Sequence, residues 1–269
     1  MTVRLTSLRT ALVLVTPLVA APLRAQTTGG GVEYSASTTR YRWYTTTKGS
    51  QTSPMGSQDF QVEARQQLTV NVAKPAKDTI VATVTLDSVS IKSAQIQQDV
   101  SGLVGSKFTA YLSPTGQFYS IQKSTSPDPL AGQVTENVAR FLPSYRRNLK
   151  MGLTWADTTA SKVTQQGMEV DRTIISNYRV VGDTTIAGEK TFKIERLSTV
   201  KAAGSGTAQG TPVALESATN STAMIFLSAK GVYLGGQQND DINVKITILA
   251  QNAEINIKQK AESKIEAIR

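Results

Sequence analysis

The strongest constraint on the fold is a two-residue alternation of apolar and polar side chains. In FQVEARQQLTVNV, residues 60–72, the large apolar side chains all fall on even positions: Phe60, Val62, Leu68, Val70 and Val72. Successive side chains of a strand point to opposite faces of a sheet. This period therefore predicts a strand with one buried and one solvated face.

The alternation recurs along most of the chain. In TIVATVTLDSVSIK, residues 79–92, Ile80, Val84 and Leu86 share even positions, and the apolar parity then changes to Val89 and Ile91. A shift of this kind at Asp87 and Ser88 predicts a β-bulge. Further alternating runs cover 174–180, 192–194 and 242–248.

The C-terminal AEINIKQKAESKIEAIR is as charged as a surface helix. Five of its apolar residues nevertheless share odd positions: Ile255, Ile257, Ala261, Ile265 and Ala267. We therefore predict a strand here. The small and polar stretch 202–222 predicts a mobile loop with at most a weak strand at 213–215, and QNDDIN, residues 238–243, is typical of a hairpin turn.

Helical spacing is clear in one segment. In SPDPLAGQVTENVARFLP, apolar residues recur every three or four positions: Leu130, Val134, Val138, Phe141 and Leu142. Asp128 before Pro129 is a favourable start, and Pro143 ends the run. The pattern predicts a helix over 129–142. A weaker helical pattern covers AQIQQDVSGLVG, with Gly102 in its middle.

One phrase occurs twice. Leu112-Ser113-x-x-Gly116 matches Leu227-Ser228-x-x-Gly231 at an offset of 115 residues, each after an apolar run and before an aromatic residue. The phrase predicts two hairpins that turn at Ser-x-x-Gly, within two related β-meanders. The alternative is a chance likeness between two hairpins.

These patterns together predict a mainly β protein. We expect a large curved antiparallel sheet, or open half-barrel, made of two related β-meanders with one central helix (129–142) and an N-terminal signal peptide. The predicted divisions are 1–25 for the signal peptide, 26–128 for the first meander, 129–150 for the helix and a basic turn, and 151–269 for the second meander. Residues 30–269 are expected to form one continuous domain.

The N-terminus has the features of a secretory signal. Arg4 and Arg9 precede an apolar run, 11–21, that is too short to span a bilayer, and Leu23-Arg24-Ala25 fits a cleavage site. We expect export to the periplasm or the exterior. A retained anchor is the alternative. No cysteine follows the cleavage point, so a lipoprotein is not expected.

Composition excludes several kinds of chemistry. The chain has no cysteine and no histidine, so disulfides, Ser-His and Cys-His pairs and the usual zinc, copper and haem ligands are absent. We expect no cofactor, no metal site and no enzyme activity. A catalytic pair of carboxylates distant in sequence is the possibility left open.

The densest basic cluster follows the predicted helix: Arg140, Arg146, Arg147 and Lys150. Cations are favoured at a helix C-terminus, which is one explanation. Contact with anionic lipid headgroups or with a partner protein of unknown kind is the other. Nucleic acid is not expected, because basic and aromatic residues are not interleaved.

Three apolar residues near that cluster are candidate ligand contacts. Phe141 and Leu142 end the predicted helix, and Trp155 opens the second meander. They are expected either to line a cavity between helix and sheet or to anchor the core.

The stretch from Leu142 through NLKMGLTWADTT to VVGDTTIAGEKTFKIER resembles a loose group of uncharacterised secreted β-rich bacterial envelope proteins. At the level of the fold alone, a curved sheet with a helix on its concave side is similar to the half-barrels of periplasmic lipoprotein carriers. The group implies no activity, and fold does not imply function.

Two functions are compatible with these patterns. The first is a non-enzymatic exported protein that binds a lipid-like or other hydrophobic ligand in a groove between sheet and helix. The alternative is a structural or partner-binding envelope protein with a packed core and no ligand.

Overall fold

Eleven strands form one antiparallel sheet. The computed structural model describes residues 31–94, 99–122, 126, 131, 134–135, 141–165, 168–208 and 210–268. The strands are β1 Ser37–Ser53, β2 Gly56–Ala76, β3 Thr79–Ser93, β4 Lys107–Leu112, β5 Phe118–Gln122, β6 Thr154–Gln165, β7 Met168–Ile186, β8 Glu189–Ala208, β9 Thr211–Ser228, β10 Tyr233–Ile248 and β11 Ala253–Ile268. The mainly β, antiparallel prediction is confirmed.

The strand order shows how the chain crosses the sheet. It runs β5-β4-β3-β2-β1-β11-β10-β9-β8-β7-β6, so the chain meanders from the centre to one edge, crosses to the other edge through 123–153, and returns. β11 then pairs with β1. The sheet is open, with β5 and β6 at its edges, and both predicted meanders belong to it.

Alternation fixes the buried face, as the sequence predicts. On β2, Val62, Leu68, Val70 and Val72 are buried and Gln61, Gln67 and Asn71 are exposed. The predicted bulge is confirmed: Gln67 pairs with Ser88 and Leu68 with Leu86, so Asp87 is the extra residue. The C-terminal strand is confirmed as β11.

The prediction of a loop at 202–222 is wrong. Residues 202–208 and 211–222 belong to β8 and β9, which pair along almost their whole length. Gly204 lies opposite Val170 of β7, and a Cβ on Gly204 would collide with the main-chain oxygen of Glu169. Small residues here permit a close approach of two strands, which the composition alone does not distinguish from a loop.

The predicted central helix is not confirmed. Most of 129–142 lies outside the described residues; Ala131, Val134 and Thr135 have helical backbone, but Phe141 and Leu142 do not. Leu142 precedes Pro143, and a residue before proline disfavours the helical conformation. In the described part of the chain the one complete helix is a 3-10 turn, Ser101–Leu103, within the weaker predicted helix. The predicted signal peptide, 1–25, lies outside the described residues.

The two Ser-x-x-Gly turns have the same hydrogen bonds. Ser113 O accepts from Gly116 N at 2.9 Å, and Ser113 N donates to Gln117 O at 2.7 Å. Ser228 makes the same bonds with Gly231 and Val232, at 2.9 and 2.8 Å. Each serine Oγ also accepts from the N–H four residues on. The repeated phrase is therefore a repeated turn.

The N-terminal segment connects these two turns. Tyr34 N donates to Pro114 O at 2.8 Å, and Ser35 N donates to Gly231 O at 3.0 Å. Tyr34 Oη donates to Pro143 O at 2.8 Å. Residues 32–35 therefore hold together both hairpins and the segment that follows the crossover.

The buried face has two main apolar clusters. One contains the N-terminal halves of β1 and β3, most of β4, and the segment 141–153, here called the covering segment. The other joins Met168 and Val170 of β7 to Ile242 and Val244 of β10. Val213 and Leu215 of β9 lie between them, so this cluster runs across neighbouring strands of the sheet.

Candidate functional site

Phe141 lies in an aromatic pocket of the sheet. Its ring centroid is 4.9 Å from that of Tyr41, 5.6 Å from that of Tyr233 and 6.1 Å from that of Trp43. These three rings, here called the aromatic pocket, come from the buried faces of β1 and β10. The side chain of Phe141 is only 1% exposed, so the covering segment inserts it fully.

The other two candidate contacts lie in the same apolar cluster. Leu142 is buried, and Trp155 is packed against the cluster's edge. Trp155 stacks on Tyr178 of the neighbouring strand, with 4.9 Å between ring centroids and 3° between the ring planes. The three predicted residues are therefore brought to one region, although Trp155 contacts a different aromatic partner from Phe141.

The residues of the basic cluster differ in their contacts. Arg147 Nη2 lies 2.6 Å from Glu33 Oε1, and Lys74 Nζ lies 3.0 Å from Glu33 Oε2. Arg147 O also accepts from Val32 N at 2.9 Å, so this residue ties down the N-terminal segment. Arg146 is half-buried and Lys150 exposed. Arg140 lies outside the described residues.

A cavity of about 40 Å³ lies beneath the covering segment. Phe141 and Pro143 line it from that segment, and the sheet contributes the remaining lining: Trp43, Arg196, Ala223, Met224, Ile225, Tyr233, Gly236, Gln237, Gln238, Ser263 and Ile265. A water molecule takes about 30 Å³ of the liquid, so the cavity has room for one small group.

Two residues that line this cavity each carry a buried N–H group with no hydrogen-bond partner among the described residues. They are Nε1 of Trp43 and Nε of Arg196, whose side chains belong to residues 5% and 4% exposed. A buried donor left unpaired costs about 1–3 kcal/mol. Folded proteins contain few unpaired buried donors, so two of them in residues that line one cavity are unusual.

Arg196 belongs to a polar network that joins β8 to β10 across β9. Its Nη2 donates to Gln238 Oε1 at 2.6 Å. Gln238 Nε2 lies 2.9 and 2.8 Å from the two carboxylate oxygens of Asp240. Register explains the arrangement: Ala223 of β9 lies opposite both Arg196 and Gln238, and Asp240 is two residues further along the same face.

The two charges of this network share no direct hydrogen bond, although the positive charge of Arg196 lowers the pKa of the Asp240 carboxyl group, by less than burial raises it. Arg196 makes no ion pair with a described carboxylate, since Gln238 lies between it and Asp240. Asp240 is 3% exposed, and burial raises the pKa of its carboxyl group above the ordinary value. The site therefore has a guanidinium with a donor to spare.

The sequence patterns described above do not identify Arg196, Gln238 or Asp240 as candidate site residues. The signal was present, because Arg196 has the same parity as Ile194 and Asp240 the same parity as Ile242, which places both on the buried face. The hairpin turn predicted for QNDDIN is wrong, since those residues lie within β10. A charged residue in phase with apolar ones predicts a buried charge.

A larger groove of about 490 Å³ lies across β7–β11. Its lining is mostly exposed polar side chains of the outer face, among them Asn177, Asn220 and Asn239. Polar side chains that stay hydrated contribute little binding free energy, so the cavity beneath the covering segment is the better candidate.

The arrangement offers hydrogen-bond donors beside aromatic rings. In the part of the chain that the structure describes, no three or more acidic side chains lie close enough to hold a metal ion. The same part contains no helix long and apolar enough to cross a membrane.

Comparison with known proteins gives no family. No family model matches the chain, and no curated protein matches it. One similar solved structure is that of a domain named as an outer membrane lipoprotein-sorting protein from Vibrio parahaemolyticus. It is 11% identical, with 81% of this chain and 83% of that chain covered, and a TM-score of 0.20. A likeness at this level supports no conclusion about fold or function.

Proposed function

We propose that the chain is an exported, non-enzymatic protein that binds a lipid-like or other hydrophobic ligand between the sheet and the covering segment. The observation that carries the proposal is the insertion of Phe141 into the aromatic pocket of Tyr41, Trp43 and Tyr233. A surface that accepts a phenyl ring offers the same apolar contact to an acyl chain once that ring moves away.

The way in which the covering segment is held on the sheet supports the displacement of Phe141 by a ligand. Between 141 and 153 its main-chain bonds to other segments are few: Tyr145 N to Thr115 O, Val32 N to Arg147 O, Gly152 N to Val180 O and Val180 N to Leu153 O, each at 2.9 Å. Most of its contact with the sheet is side-chain packing, by Phe141, Leu142 and Tyr145. Packing of this kind exchanges for ligand contact without leaving many main-chain groups unpaired.

The alternative is a structural or partner-binding envelope protein with a packed core. Its support is the close packing around Phe141 and the small size of the neighbouring cavity, about 40 Å³. An acyl chain does not fit that space while Phe141 stays in place. The two functions therefore differ in one physical respect, which is whether Phe141 leaves the aromatic pocket.

Tryptophan fluorescence tests the proposal, because the chain has two tryptophans and one of them belongs to the pocket. In the Trp155→Phe variant, Trp43 is the sole tryptophan. We expect 9,10-dibromostearic acid to quench it in a saturable way, since bromine quenches on contact. The matched variant Trp43→Phe leaves Trp155 and is expected to show weaker quenching.

Native mass spectrometry of the protein from its own compartment gives an independent result. A stoichiometric acyl species supports the proposal. Absence of quenching in Trp155→Phe, together with a ligand-free mass after incubation with lipid, would leave the packed structural protein as the better account.

A further inference from the structure

The cavity beside Phe141 is polar on one side and apolar on the other. Arg196 and Gln238 line it from β8 and β10, while Phe141, Ile225 and Tyr233 provide apolar walls. A ligand with a polar head and an apolar tail matches this division. The tail would follow the space that Phe141 occupies, and the head would remain near the sheet.

The polar side presents unpaired donors. Nε of Arg196 and Nε1 of Trp43 have no partner among the described residues, and neither group can accept a hydrogen bond. A head that accepts two hydrogen bonds satisfies both. A head that only donates leaves both unpaired and adds unpaired groups of its own.

The charge of the site favours an anion. Arg196 is buried, and the hydrogen bond it makes to a described residue goes to the neutral Oε1 of Gln238. The nearby carboxylate of Asp240 is held by the amide of Gln238. A buried guanidinium gains most from an anion in direct contact, because charge-assisted hydrogen bonds to a planar carboxylate are the strongest that it makes.

We propose that this cavity is the head-group site for a long-chain carboxylate, whose oxygens accept hydrogen bonds from Arg196 Nε and Trp43 Nε1. The small cavity suits a carboxylate better than a bulkier phosphate. This inference rests on the proposed function, and it adds the ligand's class, a fatty acid, and its orientation, carboxylate inward and chain toward the covering segment.

The test compares two probes in the Trp155→Phe protein. One is 9,10-dibromostearic acid and the other is the corresponding alcohol, whose head has a similar size and no charge. We expect the acid to bind about tenfold more tightly or better, as for a hydrogen bond to a charged group. The comparison needs no variant of Arg196, so it stands even where such a variant folds poorly.

Variants of Arg196 then locate the effect. Arg196→Met should remove the preference for the acid, and Arg196→Lys, which keeps the charge but loses the planar group, should keep part of it. The matched control is Arg179→Met, on the exposed face of β7, which should keep the full preference.

The outcomes separate the two proposals. Equal binding of acid and alcohol, unchanged in Arg196→Met, would overturn the head-group site and leave hydrophobic binding intact. A preference for the acid that Arg179→Met removes as well would also overturn it, since the effect would then be one of surface charge. Failure of both probes to quench Trp43 would overturn the proposed function itself.

Discussion

Gly231 packs against the main chain of Glu33 so closely that a Cβ atom on this glycine would overlap the oxygen of Glu33. Gly231 also has a φ of 77°, in the left-handed region. The second Ser-x-x-Gly turn therefore needs glycine for two reasons, its own conformation and the passage of the N-terminal segment across it.

We expect Gly231→Ala to destabilise the protein by about 3 kcal/mol or more, from left-handed strain together with a main-chain clash. The matched control is Gly188→Ala, since Gly188 has a φ of 80° with no atom within 4 Å of a built Cβ. The Gly188→Ala variant has the left-handed strain without a clash, so its free energy of unfolding should fall by about 1 kcal/mol. Urea denaturation measures both, and equal losses would contradict the close contact.

The serines of the two turns should both stabilise the fold, because each makes the same side-chain hydrogen bond. Ser113 Oγ accepts from Gln117 N at 2.9 Å, and Ser228 Oγ accepts from Val232 N at 3.1 Å. Replacing either serine by alanine leaves a main-chain N–H without this acceptor, so each variant should lose about 1–2 kcal/mol. Because the turns are distant in sequence but joined through residues 32–35, the double variant tests additivity. A loss of stability in Ser113→Ala without a loss in Ser228→Ala would contradict the equivalence of the turns.

Local patterns predicted the strands well because they depend on one face being buried. The even positions of β2 and the parity change at Asp87 were sufficient to place a strand and a bulge. The repeated Ser-x-x-Gly phrase likewise encodes its own hydrogen bonds, so the likeness of the two turns could be predicted without knowledge of the rest.

Structural features that depend on contacts between residues distant in sequence could not be predicted. Gly204 and its small neighbours resemble a loop in composition, and only their pairing with Val170 and the rest of β7 makes them a strand. The candidate site is of the same kind: Phe141 was predicted, but its partners Tyr41 and Tyr233 are 100 and 92 positions away and were not. Register between β8, β9 and β10, which brings Arg196 beside Gln238, is not encoded in any single strand.

Asp240 should make stability depend on pH. Burial raises the pKa of its carboxyl group above the ordinary 3.8, so the folded state binds its proton more readily than the unfolded chain does. The stability gained from that proton is present below the unfolded pKa and is lost as pH rises through the folded pKa. The free energy of unfolding of Asp240→Asn should therefore increase relative to that of wild type as pH rises from about 3.8 to neutrality.

Urea denaturation at several pH values between 3 and 7 measures this difference. Asp241→Asn, next along β10 on the exposed face, is the control for removing one negative charge from the strand. A wild-type protein that gains stability over Asp240→Asn as pH rises would contradict the buried carboxyl's role.

The last prediction concerns Phe141 itself. Phe141→Ala removes a ring that is 1% exposed and touches three aromatic neighbours, so it should cost about 3–5 kcal/mol. It also removes the ring that fills the aromatic pocket. An apolar probe such as 1-decanol should then bind in the vacated space and raise the melting temperature of Phe141→Ala more than that of wild type, because a ligand stabilises the state that binds it.

Tyr119→Ala is the control for losing an aromatic ring, since Tyr119 is 52% exposed on β5. It should show little change in stability and no response to the probe. If Phe141→Ala is destabilised and 1-decanol leaves its melting temperature unchanged, the aromatic pocket closes when emptied. Tyr41, Trp43 and Tyr233 would then require Phe141 as a permanent part of the core, and the ligand would have no place among them.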